Sequence, residues 1–220
     1  MTRRPTARWL LLPAFCVALK GCASPAPVAY SGLASSAVLE PNRQDPLGQM
    51  PLSYRPPVDW PGYDGLILEP VAIYRGTDAQ FGALSETDKI ALARYMQAEF
   101  SGRLKSRYPL VTVAGDHTLR VRLTLTGAAA NKPVLSTVSR LDIAGGLYNG
   151  VQAARGGEGL FTGSVIYSVE FYNAWNDQLI EAFVAKQYPN AYNLAAGVGS
   201  LSAAKAGIRK GAGALLRQMQ

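Results

Sequence analysis

The ten residues HTLRVRLTLT, positions 117–126, constrain this chain more than any others. Leu119, Val121, Leu123 and Leu125 alternate with Thr118, Arg120, Arg122, Thr124 and Thr126. A period of two puts the leucines and the valine on one face of a strand and the arginines on the other. Such a strand belongs in a sheet with one face packed on a core and the other wet, and something else in the chain must cover the apolar face.

Two segments have the pattern to do so. Ser85-Glu86-Thr87-Asp88 reads as a capping box with Asp in the place of the usual Glu or Gln, and Leu92, Tyr95, Met96, Phe100 and Leu104 follow at helical spacing. That helix should run to about residue 106, before Tyr108-Pro109. Near the end, Leu201, Ala204, Ile208, Leu215, Leu216 and Met219 make one face of a second helix that Ser200 or Ser202 can cap, with basic residues towards its negative end. Residues 65–74 (GLILEPVAIY) and 110–114 read as further strands. Residues 164–173 and 178–187 read as a hairpin joined through Ala174-Trp175-Asn176-Asp177. Pro70 inside the first strand argues for an edge or a bulge there. The expected fold is α+β in two layers, a mixed, largely antiparallel sheet of about five strands with both helices on one face. Residues 142–163 are glycine-rich and read as a loop.

The start of the chain has a different logic. Residues 1–8 carry Arg3, Arg4 and Arg8 without an acid, and residues 9–19 (WLLLPAFCVAL) form an apolar run too short to span a bilayer but suited to an export signal. The run ends in Leu19-Lys20-Gly21-Cys22, similar to a bacterial lipoprotein signal, in which the Cys is acylated and the chain cut before it. Lys20 departs from that pattern, where a small uncharged residue is usual. A plain secretory signal with a chance Cys, or a cytosolic chain, are the alternatives. Cleavage there discards Cys16 and leaves Cys22 as the sole thiol, so no disulfide is possible. The formal charge then falls from +7 to +3, because 18 basic residues face 15 acidic ones. That balance, with no basic cluster interleaved with aromatics, gives no support to a nucleic-acid partner. Eight of the 14 prolines fall in residues 23–62, which read as an extended, partly ordered arm between a lipid on Cys22 and a single globular domain over residues 63–220, with Leu33, Leu39 and Leu47 able to dock on that domain.

Little catalytic material is present. His117 is the only histidine, and there is no nucleophile elbow, phosphate loop or His-Glu-x-x-His helix. Gly157-Glu158-Gly159 meets Thr162 where a dinucleotide fingerprint needs a third glycine. No cofactor or metal is expected. Arg120 and Arg122 share a face and could hold an anion together, or form no more than an exposed polar surface. Glu69, Glu158, Glu170 and Glu181 are available carboxylates without a visible pairing.

Tyr30-Ser31-Gly32-Leu33, Leu39-Glu40-Pro41, Val58-Asp59-Trp60-Pro61-Gly62-Tyr63-Asp64 and Leu68-Glu69-Pro70-Val71, with the glycine-rich loop and the Ala-rich last helix, resemble an uncharacterised bacterial lipoprotein family, a domain of unknown function. Trp175 departs from its more glycine-containing turn. The resemblance implies a lipid-anchored envelope protein and lends no catalytic residue. The expectation is therefore a non-catalytic outer-membrane lipoprotein facing the periplasm, attached through Cys22 and binding another envelope protein, with Arg120, Arg122 and Trp175 as the candidate contact surface. A periplasmic carrier of a small apolar or anionic ligand is the alternative, and a hydrolase the lesser one.

Overall fold

The computed structural model describes residues 25–130, 158, 163–189 and 199–219. The signal segment 1–21, Cys22 and all of the 142–163 segment but Glu158 and Gly163 lie outside the described residues. The elements in chain order are β1 (Glu40–Pro41), β2 (Leu52–Tyr54), a 3-10 turn (Trp60–Gly62), β3 (Gly65–Leu68), β4 (Ala72–Ile73), α1 (Glu86–Leu104), β5 (Thr118–Ala129), β6 (Ser164–Asn173), β7 (Leu179–Gln187) and α2 (Ser202–Gln218). The strands form one open sheet in the order β1-β2-β7-β6-β5-β3, with β4 also on β5. Pairing is antiparallel except for β3 and β4, which run parallel to β5.

Among the described residues the architecture is thus α+β with two helices and a mostly antiparallel mixed sheet, but with seven strands where about five were expected. The difference has three sources. The 65–74 stretch breaks at Glu69-Pro70-Val71 into β3 and β4, because Pro70 offers no donor, and the Val71 N–H is taken at 2.7 Å by Gln97 Oε1 of α1. Residues 110–114 contribute a single bridge, Leu110 to Leu66, and no strand. The proline-rich arm supplies β1 and β2, short enough to escape a periodicity argument.

The apolar face of β5 behaves as its alternation requires. Leu119, Val121, Leu123 and Leu125 are fully buried in one cluster with Leu92, Met96, Phe100 and Leu104 of α1 and Ala204, Ile208, Ala212 and Leu215 of α2. Both helices therefore cover the same side of the sheet. Ser85 caps α1 by accepting the Asp88 N–H at 3.1 Å. Neither serine caps α2. Leu201 holds the cap position, and the Ser202 hydroxyl instead donates to the Gly199 carbonyl at 2.8 Å. In α2, Gly207 lets the helix lie against β7: a Cβ there would stand 2.7 Å from the Gln187 carbonyl oxygen.

The opposite face is not wet. Thr124, Thr126, Ser168 and Glu170 are buried, beneath a third layer made by the arm. Tyr30 and Leu33 form a second apolar cluster with Tyr74, Ile166 and Val184, and Leu39 and Leu52 pack around it. Polar contacts pin this layer. Tyr30 donates through its hydroxyl to Gln80 Oε1 at 2.5 Å, and the Ser31 N–H donates to Asp78 Oδ2 at 2.8 Å. The Gly32 N–H reaches the Tyr74 hydroxyl at 2.9 Å and the Ser35 N–H reaches Glu170 Oε1 at 2.8 Å. Tyr30 stands edge-on to Tyr74 with centroids 5.4 Å apart. Burial, assisted by the Asp78 charge, pushes the Tyr30 hydroxyl up to about 12.

Candidate functional site

The arginine pair of β5 is built into a ladder of charges on the arm side of the sheet. Register sets Arg120 opposite Tyr172 and Arg122 opposite Glu170 of β6. Glu69, in the break between β3 and β4, serves both arginines. Its Oε2 accepts from Arg122 Nε at 2.8 Å and its Oε1 from Arg122 Nη2 at 3.3 Å. The same Oε1 lies 3.3 Å from Arg120 Nε, a charge contact whose angle falls short of a hydrogen bond. Arg120 Nη2 also meets Asp177 Oδ1 at 2.9 Å. Both guanidinium groups lie over the Tyr172 ring, 4.7 and 5.3 Å from its centroid. Burial and then the neighbouring Glu170 carboxylate push the Tyr172 hydroxyl up to about 12.

Asp177 belongs to the β6–β7 hairpin turn, where its φ of 58° is the left-handed conformation that Asp tolerates better than most residues. Asn173 Oδ1 accepts the Trp175 N–H at 2.9 Å, shaping the turn that leaves the Trp175 side chain outside. Trp175 is 69% exposed, against 22% and 35% for the side chains of Arg120 and Arg122. The Arg120–Asp177 ion pair ties the turn to the ladder, so the three residues singled out from sequence belong to one locality, at one end of the sheet. The fourth, Cys22, lies outside the described residues. Glu69, Asp177 and Tyr172 were not singled out as partners of the arginines. The period-two rule applied to β6 places Tyr172 and Glu170 on one face, but only the strand register shows that this is also the arginine face.

The geometry limits the chemistry. Two positive and two negative charges meet in the ladder, with Glu170 fully buried beside it. A pair of arginines already held by Glu69 and Asp177 has no net charge to offer an anion. An open cleft of about 390 Å³ lies between Gly32–Ala34 of the arm and Ala72–Gly76, with Arg122, Thr124 and Glu170 on its floor. His117 Nδ1 stands 2.9 Å from the Gly62 carbonyl oxygen in an exposed turn, an anchor for the 3-10 turn. Glu158 meets Lys186 Nζ at 2.8 Å, and Glu181 accepts from Arg55 Nε at 3.0 Å and from Gln218 Nε2. Among the described residues no cluster of three or more His, Cys, Asp or Glu side chains could hold a metal, and no helix is long and apolar enough to cross a membrane.

Removing the negative partner should reverse the character of the ladder. Glu69→Gln keeps the shape and is expected to cost about 1–2 kcal/mol in urea unfolding. It should also give weak inorganic phosphate binding, read as shifts of the Arg120 and Arg122 side-chain resonances, that the parent protein lacks. Equal response in parent and variant would contradict the neutralisation argument.

A family model described as "Protein of unknown function (DUF3313)" matches residues 29–215. No curated protein matches the chain. Among solved structures it is similar to a substituted PelC dodecamer from Paraburkholderia phytofirmans at 8% identity and a TM-score of 0.38, covering 72% of this chain and 89% of that one. It is also similar to the PelC dodecamer of the same organism at 10% identity and a TM-score of 0.36, covering 71% of this chain and 90% of that one.

Proposed function

Because the chain belongs to the family described as Protein of unknown function (DUF3313), we propose its role from its own sequence and geometry: a non-catalytic, lipid-anchored protein of the bacterial outer membrane that faces the periplasm and binds another envelope protein. The anchor is a lipid on Cys22. The contact surface is the end of the sheet bearing Arg120, Arg122, Tyr172 and Trp175.

The observation that carries this reading is the neutralised arginine pair stacked on Tyr172 and tied through Asp177 to the turn of an exposed Trp175. Arg, Tyr and Trp are the side chains in which the energetic centres of protein interfaces are enriched, and pre-formed ion pairs hold them in place before a partner arrives. In crosslinking capture from envelope extracts, Trp175→Ala is expected to lose a partner that the parent protein and Arg103→Ala, at an exposed position of α1, both retain. Equal recovery with Trp175→Ala would remove this surface from consideration.

The lipid is tested separately. Cells fed a palmitate analogue should label the parent chain and leave Cys22→Ser unlabelled, with the variant moving from the membrane to the soluble periplasmic fraction. Labelling of both chains alike would place the acyl group elsewhere. The alternative of a small-ligand carrier draws its support from the cleft floored by Arg122, Thr124 and Glu170, whose size is within the range of ligand sites. Its charge balance argues against an anion and leaves the small apolar guest of that reading. Native mass spectrometry of the mature protein would show such a guest as added mass.

A further inference from the structure

The arm begins to bind the domain almost as soon as Cys22 is passed. The Ala26 carbonyl accepts from Gln80 Nε2 at 2.8 Å, and the same side chain takes the Tyr30 hydroxyl. Gln80 is itself fixed in the sheet: its N–H donates to the Thr126 carbonyl at 2.9 Å, its carbonyl accepts the Ala128 N–H at 3.2 Å, and it bridges Gly127. Ala26 therefore enters near the C-terminal end of β5. Three residues lie between it and Cys22, and the four steps of chain from Cys22 to Ala26 reach at most about 14 Å when fully extended.

The hairpin turn lies at the other end of the same strand. Leu119 pairs with Asn173, and the Ala174 N–H donates to the Thr118 carbonyl at 2.9 Å. The eight residue steps from Leu119 to Gly127 cover about 26 Å, nearly twice the reach of the segment after Cys22. Four of the exposed large apolar side chains lie at these two ends. Val28 is two residues past Ala26. Leu47 sits just beyond the end of β7, where its carbonyl accepts the Tyr188 hydroxyl at 3.2 Å. Trp175 follows directly on the last pairs at the N-terminal end of β5, and Val113 lies in the loop leading into that strand.

Resting on the lipidation proposed for Cys22, we propose that the end of the sheet marked by Ala26, Val28, Gln80 and Leu47 is held against the bilayer. The Trp175 turn is then directed away from it, into the periplasm. The occupant of the anchor end is the lipid surface itself, because the lipid attaches within reach of that end alone. The arm is consequently an orienting device rather than a long leash, and the contact surface at Trp175 is presented away from the membrane.

The test uses the mature acylated protein in vesicles of phosphatidylethanolamine and phosphatidylglycerol. Acylation consumes Cys22 and cleavage removes Cys16, so Val28→Cys and Trp175→Cys each carry one labelling site. With a fluorophore at either position, a nitroxide quencher on the lipid chains should quench position 28 several-fold more than position 175, and aqueous iodide should show the reverse order. Equal lipid quenching at the two positions, or stronger quenching at 175, overturns the orientation. A preparation whose intact mass lacks acyl chains and which floats free of vesicles overturns the lipid reading, and the orientation with it. The mass tells that failure apart from the first.

Discussion

Tyr30→Ala will lower the unfolding free energy by about 3–5 kcal/mol, the range for losing a buried aromatic side chain. Tyr30 precedes the domain boundary drawn from sequence, at residue 63, by more than thirty residues, so a tether would register no loss. The structure predicts a core-sized one, since Tyr30 is 1% exposed, packs edge-on against Tyr74 and shares a cluster with Ile166 and Val184. Removing the ring opens a cavity over the middle of the sheet and deprives Gln80 of its hydroxyl donor. Tyr30→Phe keeps the ring and should cost only about 1 kcal/mol for the single hydrogen bond. Urea unfolding of the two variants reads both numbers. A change within about 0.5 kcal/mol for Tyr30→Ala, typical of surface positions, would mean that the arm does not pack.

The second large effect lies on the other side of the sheet. Gly207→Leu should cost about 3 kcal/mol or more, because a Cβ at this position would stand 2.7 Å from the backbone oxygen of Gln187 and 3.0 Å from Val165 Cγ1. The backbone of β7 cannot turn away as a side chain can. α2 must lift off and uncover Ala203, Ala204, Ile208 and Leu215 together. Gly213, one and a half turns further along, faces open space, with only the tip of Arg217 at 3.7 Å. Gly213→Ala should therefore stabilise the protein by up to about 1 kcal/mol through helix propensity alone. Opposite signs from two glycines of one helix in thermal unfolding would show that close approach, not flexibility, is what Gly207 supplies. Loss of stability in both would contradict it.

The parts of the fold legible in the sequence were those with a sustained period. The alternation of β5, the spacing of Leu92, Met96, Phe100 and Leu104, and the paired β-rich runs around Trp175 all became the elements their patterns call for. What escaped was short or lacked a period. β1 and β2 hold two and three residues, and no alternation is visible over such lengths. The arm docks through isolated contacts, Tyr30, Leu33 and the Ser35 N–H, separated by polar residues and turns. Proline content suggested extension, and the described residues of the arm hold no α-helix, but extension does not decide whether a segment packs. The same limit governed the site. Arg120 and Arg122 sharing a face followed from period two, whereas their neutralisation depends on Glu69, some fifty residues earlier, and on Asp177 in a turn. A parallel pairing of β3 and β4 with β5 brings Glu69 there, and no local pattern encodes such a long-range pairing.

The arm as a folded layer underlies the stability argument, the short reach after Cys22 and the direction in which Trp175 is presented. Amide hydrogen exchange on the mature chain tests it most directly, at the Ser35 N–H that donates to the buried Glu170 carboxylate and at the Gly32 N–H that donates to Tyr74. The account predicts that these two amides exchange through openings about as rare as those of the central strand β6. Exchange of Ser35 and Gly32 at the rate of an unstructured chain, with β6 still protected, would contradict it.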